Sequence, residues 1–140
     1  MKPPLVAFGD ALAAAVTVIR AGLAGRAEPY AAGARVVTRV PGDRTTEADL
    51  PLVLVADDGT FAVTYPADAS ATIRITVWHR STGEAVDLAQ LARGLLAVHT
   101  GPVLRSVIPR TGPDRATDDT TGIDLASCTV TVHVKPAALA

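Results

Sequence analysis

The sequence has very few aromatic residues: one Trp, two Tyr and two Phe in 140 positions. A core with so few large rings has to be filled by Val, Leu, Ile and Ala. There is one cysteine, Cys128, which excludes an intrachain disulfide framework. A lone thiol in a Val-rich stretch reads as a small core residue. No charge excess exists either, since the formal net charge is −1. Proteins that grip nucleic acid carry a basic face, because phosphate neutralisation supplies most of the affinity. Here Arg and Asp/Glu are interspersed, and Lys2 and Lys135 are the only lysines. This disfavours nucleic acid as a tightly held ligand but is compatible with DNA passing by. No apolar run reaches the ~18 residues of a membrane span. The Ala-rich stretch after Lys2 is interrupted by Asp10 and Arg20, unlike the unbroken centre of a secretion signal. The expectation is a soluble protein made in the cytoplasm.

What is present is a globular composition, with 49% apolar and 19% charged residues. A chain of this length buries roughly 70% of its unfolded surface and folds without staples. One domain over residues 1–140 is expected.

Leu5, Phe8, Leu12, Ala15, Ile19 and Leu23 step by three or four, which predicts an amphipathic helix over 4–24. Pro3 and Pro4 suit its start, and Gly22 and Gly25 suit its end. A strand over 34–40 follows, stopped by Pro41-Gly42-Asp43. Residues 41–50 read as a polar loop. The apolar run 51–56 suits a strand buried on both faces. Asp58-Gly59 is a hairpin turn signal, so 51–57 is expected to pair with 60–65. Turn chemistry also explains Asp57-Asp58 better than calcium does, because further oxygen ligands are missing.

Residues 71–79 alternate, with Ile73, Ile75 and Val77 on one face and Thr72, Arg74, Thr76 and Trp78 on the other. Trp78 is expected to be covered by a neighbouring element or by a partner subunit. Ser81-Thr82-Gly83-Glu84 matches a capping box. It opens a helix whose stripe is Ala85, Leu88, Leu91, Ala92 and Leu95, ended by Gly101-Pro102. Asp87 and Arg93 fall off the stripe and are expected in solvent. After a strand over 103–108, residues 109–124 read as a long polar loop, a length that is usually functional or disordered. The last strand, 127–135, puts Cys128, Val130, Val132 and Val134 inside and Thr129, Thr131 and His133 outside.

The expected fold class is therefore α+β in two layers: a mostly antiparallel β-sheet with two amphipathic helices packed on one face, and long polar loops.

The sequence carries no anchor for chemistry. His79, His99 and His133 have no second ligand at metal-site spacing, and HExxH is absent. Nucleophile-elbow and phosphate-loop patterns are absent too. Asp114, Asp118 and Asp119 fall in the expected loop, where solvent gives neither rigidity nor shifted pKa values. No catalytic residue, cofactor or metal is expected, and the protein is read as a non-enzyme.

The order of elements carries a resemblance. A helix leads through a Val-rich strand to Leu50-Pro51-Leu52-Val53, then to the alternating strand Ala71–His79. The helix Glu84–Leu96 follows directly, then a Gly/Pro/Asp stretch and the closing strand Ala126–Lys135. This arrangement resembles the tail terminator proteins of long-tailed, siphovirus-type bacteriophages, especially those of actinobacteria, over nearly the whole chain. The resemblance implies a homo-oligomeric ring, usually of about six subunits. The ring would cap the tail tube, stop its polymerisation and join the tail to the head connector or stopper. DNA would pass through the lumen without specific binding, and no cofactor or membrane would be involved. The protein would reside at the tail–neck junction of the virion.

A closed ring needs two different patches on each subunit. The face carrying Thr72, Arg74, Thr76, Trp78, Thr129, Thr131 and His133 is one candidate. The loops 41–50 and 110–124, with Arg110, Asp114, Arg115, Asp118 and Asp119, are others, ordering when neighbours dock. The expected hairpin over 51–65 is larger than the minimal pattern, which suits a tube-facing extension or another head–tail joining protein, such as a connector or completion protein. A dimeric ferredoxin-like ligand-binding module is the remaining alternative, and a cavity between helices and sheet would mark it.

Overall fold

The computed structural model describes residues 2–42 and 45–139. Asp43, part of the expected strand stop, and Arg44 of the expected 41–50 loop lie outside the described residues.

The first helix starts later than its apolar spacing suggests. α1 spans Ala11–Ala24. Its N-cap is Asp10, whose carboxylate accepts the Ala13 N–H at 3.0 Å, satisfying one of the orphan donors of a helix start. Residues Val6–Phe8 form a strand, β1, instead of the first helical turns. Their Leu5/Phe8 spacing fits a helix, but Val6–Phe8 pair antiparallel with Pro136–Ala138 instead. Leu5 is 65% exposed, while Phe8 still packs against the core. Gly25 ends the helix. Gly22 lies inside it and has a packing role: a Cβ there would sit 2.8 Å from Leu95 Cδ1.

α2, Thr82–Ala97, begins as its capping signal predicts, with Ser81 Oγ accepting the Glu84 N–H at 3.2 Å. The Glu84 carboxylate lies 2.9 Å from Nδ1 of the buried His79. The helix stops at Ala97, a few residues before Gly101-Pro102. Ala85, Leu88, Ala89, Ala92 and Leu96 are buried, with Leu91 and Leu95 partly so. Asp87 is exposed as expected, and Arg93 is partly exposed, its Nη1 donating to Thr111 O at 3.2 Å and Gly112 O at 2.9 Å.

The remaining strands are β2 (Arg35–Val37), β3 (Leu52–Thr64), β4 (Asp68–His79), β5 (Leu104–Thr117), β6 (Asp124–Val134) and β7 (Pro136–Ala138). Five of them form one sheet in the order β2-β3-β4-β6-β5. Only β2–β3 is parallel. β2 is shorter than the predicted 34–40 strand because its partner register covers only Leu52–Leu54. β1 and β7 pair separately as a two-stranded antiparallel sheet. Within the 41–50 segment, Glu47–Asp49 makes a short 3₁₀ turn capped by Thr46.

Both helices pack on the same face of the five-stranded sheet, α1 against β2 and β3 and α2 against β4, β6 and β5. The fold is thus α+β with two layers. The layer between is filled by one cluster that includes Ile19, Val53, Val55, Ile73, Ile75, Val77, Leu88, Leu96, Val130 and Val132, all fully buried.

Two expected loops are strands. Residues 51–57 and 60–65 do not pair with each other. β3 runs straight through and pairs with β4 along its length, from Leu52↔Trp78 to Thr64↔Asp68, with a register shift between Asp57 and Phe61. Gly59, at φ +79°, supplies the left-handed residue of an irregularity of the bulge kind rather than of a turn. The reversal comes at 65–67, where Ala67 N–H donates to Thr64 O at 2.8 Å.

Residues 109–117, read as loop, belong to β5. Its prolines and glycine sit at register shifts on the sheet's edge, where an absent N–H breaks no ladder. Gly112 has φ +74°, and a Cβ there would meet Ser127 O at 2.4 Å. The true loop is 118–123, closed by Asp118 N–H to Ile123 O at 2.9 Å.

Candidate assembly surface

The helix-free face of the sheet gathers most of the singled-out residues. Cross-strand partners share a face, and the β4–β6 register aligns Thr72 with Thr131, Arg74 with Thr129 and Thr76 with Ser127. β5 adds Thr111 beside Thr129 and Asp114 beside Ser127. The side chains form a lattice of polar contacts. Arg74 donates to Asp58 Oδ1 and Oδ2 at 3.3 and 3.2 Å and to Ser127 Oγ at 3.1 Å. Thr111 and Thr129 share a hydrogen bond at 2.6 Å. Arg110, at a register irregularity, donates through Nε to Thr131 Oγ1 at 3.0 Å. Among the described residues no helix overlies this lattice; Arg74, Arg110, Thr111 and Asp114 are exposed, and Thr129 is buried beneath the side chains around it. The cationic charge of Arg74 is met by Asp58.

Trp78 belongs to the same alternation but not to the open surface. It is 7% exposed, and its indole N–H donates to Asp118 Oδ2 at 2.9 Å. Of the two expected covers, a neighbouring element is therefore the one found. Asp118 Oδ1 accepts the N–H groups of Thr120 and Thr121 at 2.8 and 3.3 Å. The Trp78 bond first, and then these backbone donors, hold the Asp118 carboxyl below its usual range. Asp119 is exposed on the turn. His133 lies at the far end of the face, its Nδ1 2.8 Å from Asp68 Oδ2.

Arg115 departs from the group. It pairs with the buried Ala126, which turns it to the helix side of the sheet edge. The predicted 110–124 docking loop is thus split between an edge strand, 110–117, and the short turn that covers Trp78.

Sequence reasoning missed the apolar corner. Phe61 and Val63 pair with Ala71 and Ala69, which belong to the core cluster. They point to the helix side, yet they are 59% and 48% exposed. Tyr65 continues the alternation; its ring is half exposed while its hydroxyl donates to Pro4 O at 2.9 Å and accepts Val6 N–H at 2.8 Å. Along this stretch β3 also has a free edge among the described residues, because β2 pairs only with Leu52–Leu54. The alternation of Phe61, Val63 and Tyr65 was a visible signal, but nothing in it tells which helix fails to cover it.

The chemistry of the remaining groups is limited. Burial pushes the Cys128 thiol up, and a thiol held protonated is a weak nucleophile. His79 is buried, with Nε2 2.8 Å from Tyr30 O. Among the described residues, no three His, Cys, Asp or Glu side chains are placed to share a metal ion. A polar open cleft of about 670 Å³ lies where Thr45, Glu47, Arg80, Thr121 and Asp124 meet, at the end of the sheet rather than between its layers. Among the described residues, no helix is long and apolar enough to cross a membrane.

No protein-family model matches the chain, and no curated protein is significantly similar to it.

Proposed function

We propose that this protein is a structural component of a phage tail, a terminator that assembles into a closed ring of about six copies. The ring caps the tail tube, stops its growth and presents a surface to the head connector at the tail–neck junction of the virion. The observation that carries this reading is the presence, on one small chain, of two unlike exposed surfaces: the polar lattice around Arg74, Arg110 and Thr111, and the apolar corner at Phe61 and Val63. A ring closed by heterologous contacts requires such a pair. Near-neutral charge supports a lumen through which DNA slides. The order of helices and strands supports the assignment to a terminator within that class.

The test is tube assembly in solution. Purified protein added to polymerising tail tube protein is expected to bind tube ends and shorten the mean tube length. Tubes that grow to the same length with bare ends would contradict the proposal. Binding to the head connector alone would move the protein to the neighbouring class of head–tail joining proteins.

A further inference from the structure

The distal half of β3 leaves two kinds of bonding unmet along one edge. The first belongs to the backbone. β2 ends its pairing at Leu54, and β4 occupies only the other side of β3. From Phe61 to Thr64 the ladder with β4 is regular, running from Phe61↔Ala71 to Thr64↔Asp68. Along such a strand every second residue turns its N–H and C=O away from the partner. Among the described residues no other strand pairs with that outer side. A row of outward donors and acceptors is matched by one kind of structure, another extended chain.

The second belongs to charge. Asp57 pairs with Ile73, Phe61 with Ala71 and Val63 with Ala69, so the three side chains stand in one row on one face. Asp57 is exposed and makes no ion pair among the described residues. The other carboxylates of the β3–β4 pair are engaged, Asp58 with Arg74 and Asp68 beside His133. From Thr45 to Ile73 the sequence has no Lys or Arg. The edge therefore attracts a basic segment and repels an acidic one.

We infer that the β3 edge from Phe61 to Thr64 takes an added strand from a partner protein, an extended segment that is apolar at alternate positions and carries a basic residue that reaches Asp57. The backbone pairing holds the segment in the plane of the sheet. Its apolar side chains lie beside the exposed Phe61 and Val63, and its Lys or Arg meets Asp57 across the irregularity. The inference goes beyond the ring reading and does not depend on it. Side chains stand roughly perpendicular to a sheet, whereas strands add within its plane, so a subunit contact on the face of Phe61 and Val63 leaves the edge itself open.

Fluorescence anisotropy with the full chain tests it. The probe is a labelled peptide of about eight residues, alternating Val and Thr, with Lys at both ends. Wild type is expected to bind it about tenfold more tightly than the same peptide ending in Glu. Asp57→Lys, at an exposed site, is expected to melt at the wild-type temperature and to reverse that preference. Asp57→Asn replaces it if it melts lower, and is expected to abolish the preference. The Lys peptide is then N-methylated on one alternate set of backbone nitrogens or on the other. One pattern is expected to abolish binding and the other to leave it intact, because only one set faces the chain. Amide hydrogen exchange is expected to slow at residues 61–64 when the peptide binds. No binding of either peptide, or equal effects of the two methylation patterns, would overturn the added strand. A preference that Asp57→Lys leaves unchanged would overturn the basic partner. Exchange at 61–64 that slows with chain concentration before any peptide is added would give the edge to a second copy and overturn the assignment as well. A chain that binds the Lys peptide in this way but forms no ring would support the added strand and contradict the ring reading alone.

Discussion

The two edges of the sheet are built in opposite ways. β5 carries Pro109 and Pro113, a left-handed Gly112, several register shifts, and Arg105, Arg110 and Arg115. Prolines, bulges and charges are the devices that keep an exposed edge from pairing with another strand. The distal half of β3 has its irregularity at Asp57–Phe61, and beyond it presents Phe61 and Val63 on an unpaired edge. One edge is guarded against strand pairing and the other is left open with apolar side chains in solvent. The contrast teaches that β5 is shaped to resist strand addition, while among the described residues the distal half of β3 carries no such device beyond its irregularity.

Substitutions sharpen that comparison. The largest expected effect on folding lies beneath the helices, where both halves of the sheet share one core. Ile75→Ala, at a fully buried site, is expected to cost about 2–5 kcal/mol in urea unfolding. Phe61→Ala is expected to change monomer stability by no more than about 0.5 kcal/mol while weakening assembly. Equal stability losses at the two sites would show that Phe61 belongs to the core and would break the contrast.

The next effect separates the two left-handed glycines. A Cβ at Gly112 meets Ser127 O, whereas a Cβ at Gly59 meets nothing within 4 Å. Gly112→Ala is expected to lower stability by well over 1 kcal/mol, and Gly59→Ala by about 1 kcal/mol, the cost of the backbone conformation alone. Thermal melts of the two variants measure the difference.

A smaller effect depends on pH. The Asp118 carboxyl is held below its usual range by the Trp78 indole and by backbone donors. Its folded pKa therefore lies below its unfolded one. The stabilisation is fully present above the unfolded value and is lost as pH falls through the folded value. Trp78→Phe is expected to flatten the loss of stability on the acid side, below about pH 4, when unfolding is followed from neutral to acid. An unchanged acid limb would remove the Trp78–Asp118 bond from the account.

The smallest effect belongs to the surface pair. Asp58→Asn loosens Arg74, which is itself largely in solvent, and is expected to cost no more than about 1 kcal/mol at low salt and less at high salt.

The contrast between edges also marks where sequence reading succeeds. β4 and β6 lie in the middle of the sheet, and their burial follows the alternation of Ile73, Ile75, Val77 and of Cys128, Val130, Val132. The start of α2 was legible because Ser81 acts through a local bond to Glu84 N–H. The failures gather where local chemistry has two uses. Asp58-Gly59 suits a hairpin turn and an irregularity inside a long strand equally well. Pro109, Gly112 and Pro113 suit a loop, and they suit an edge strand just as well once β6 provides one side of the ladder. β1 and β7, three residues each, are too short to show a period.

Of the candidate surface, Arg74, Thr76, Thr129 and Thr131 were legible as one face. The cover over Trp78 was not, because it depends on a turn whose position follows from the full length of β5. The exposure of Phe61 and Val63 was hidden for a similar reason: their pattern is that of core residues, and only the limited reach of two helices over five strands leaves them bare.

The most direct test is native mass spectrometry of the wild-type chain and of Phe61→Ser over a range of concentrations, with the particles viewed by negative-stain electron microscopy. The account predicts a closed ring of about six subunits with a central hole for wild type, and folded monomers for the variant. A wild-type chain that stays monomeric or dimeric at every concentration would contradict it.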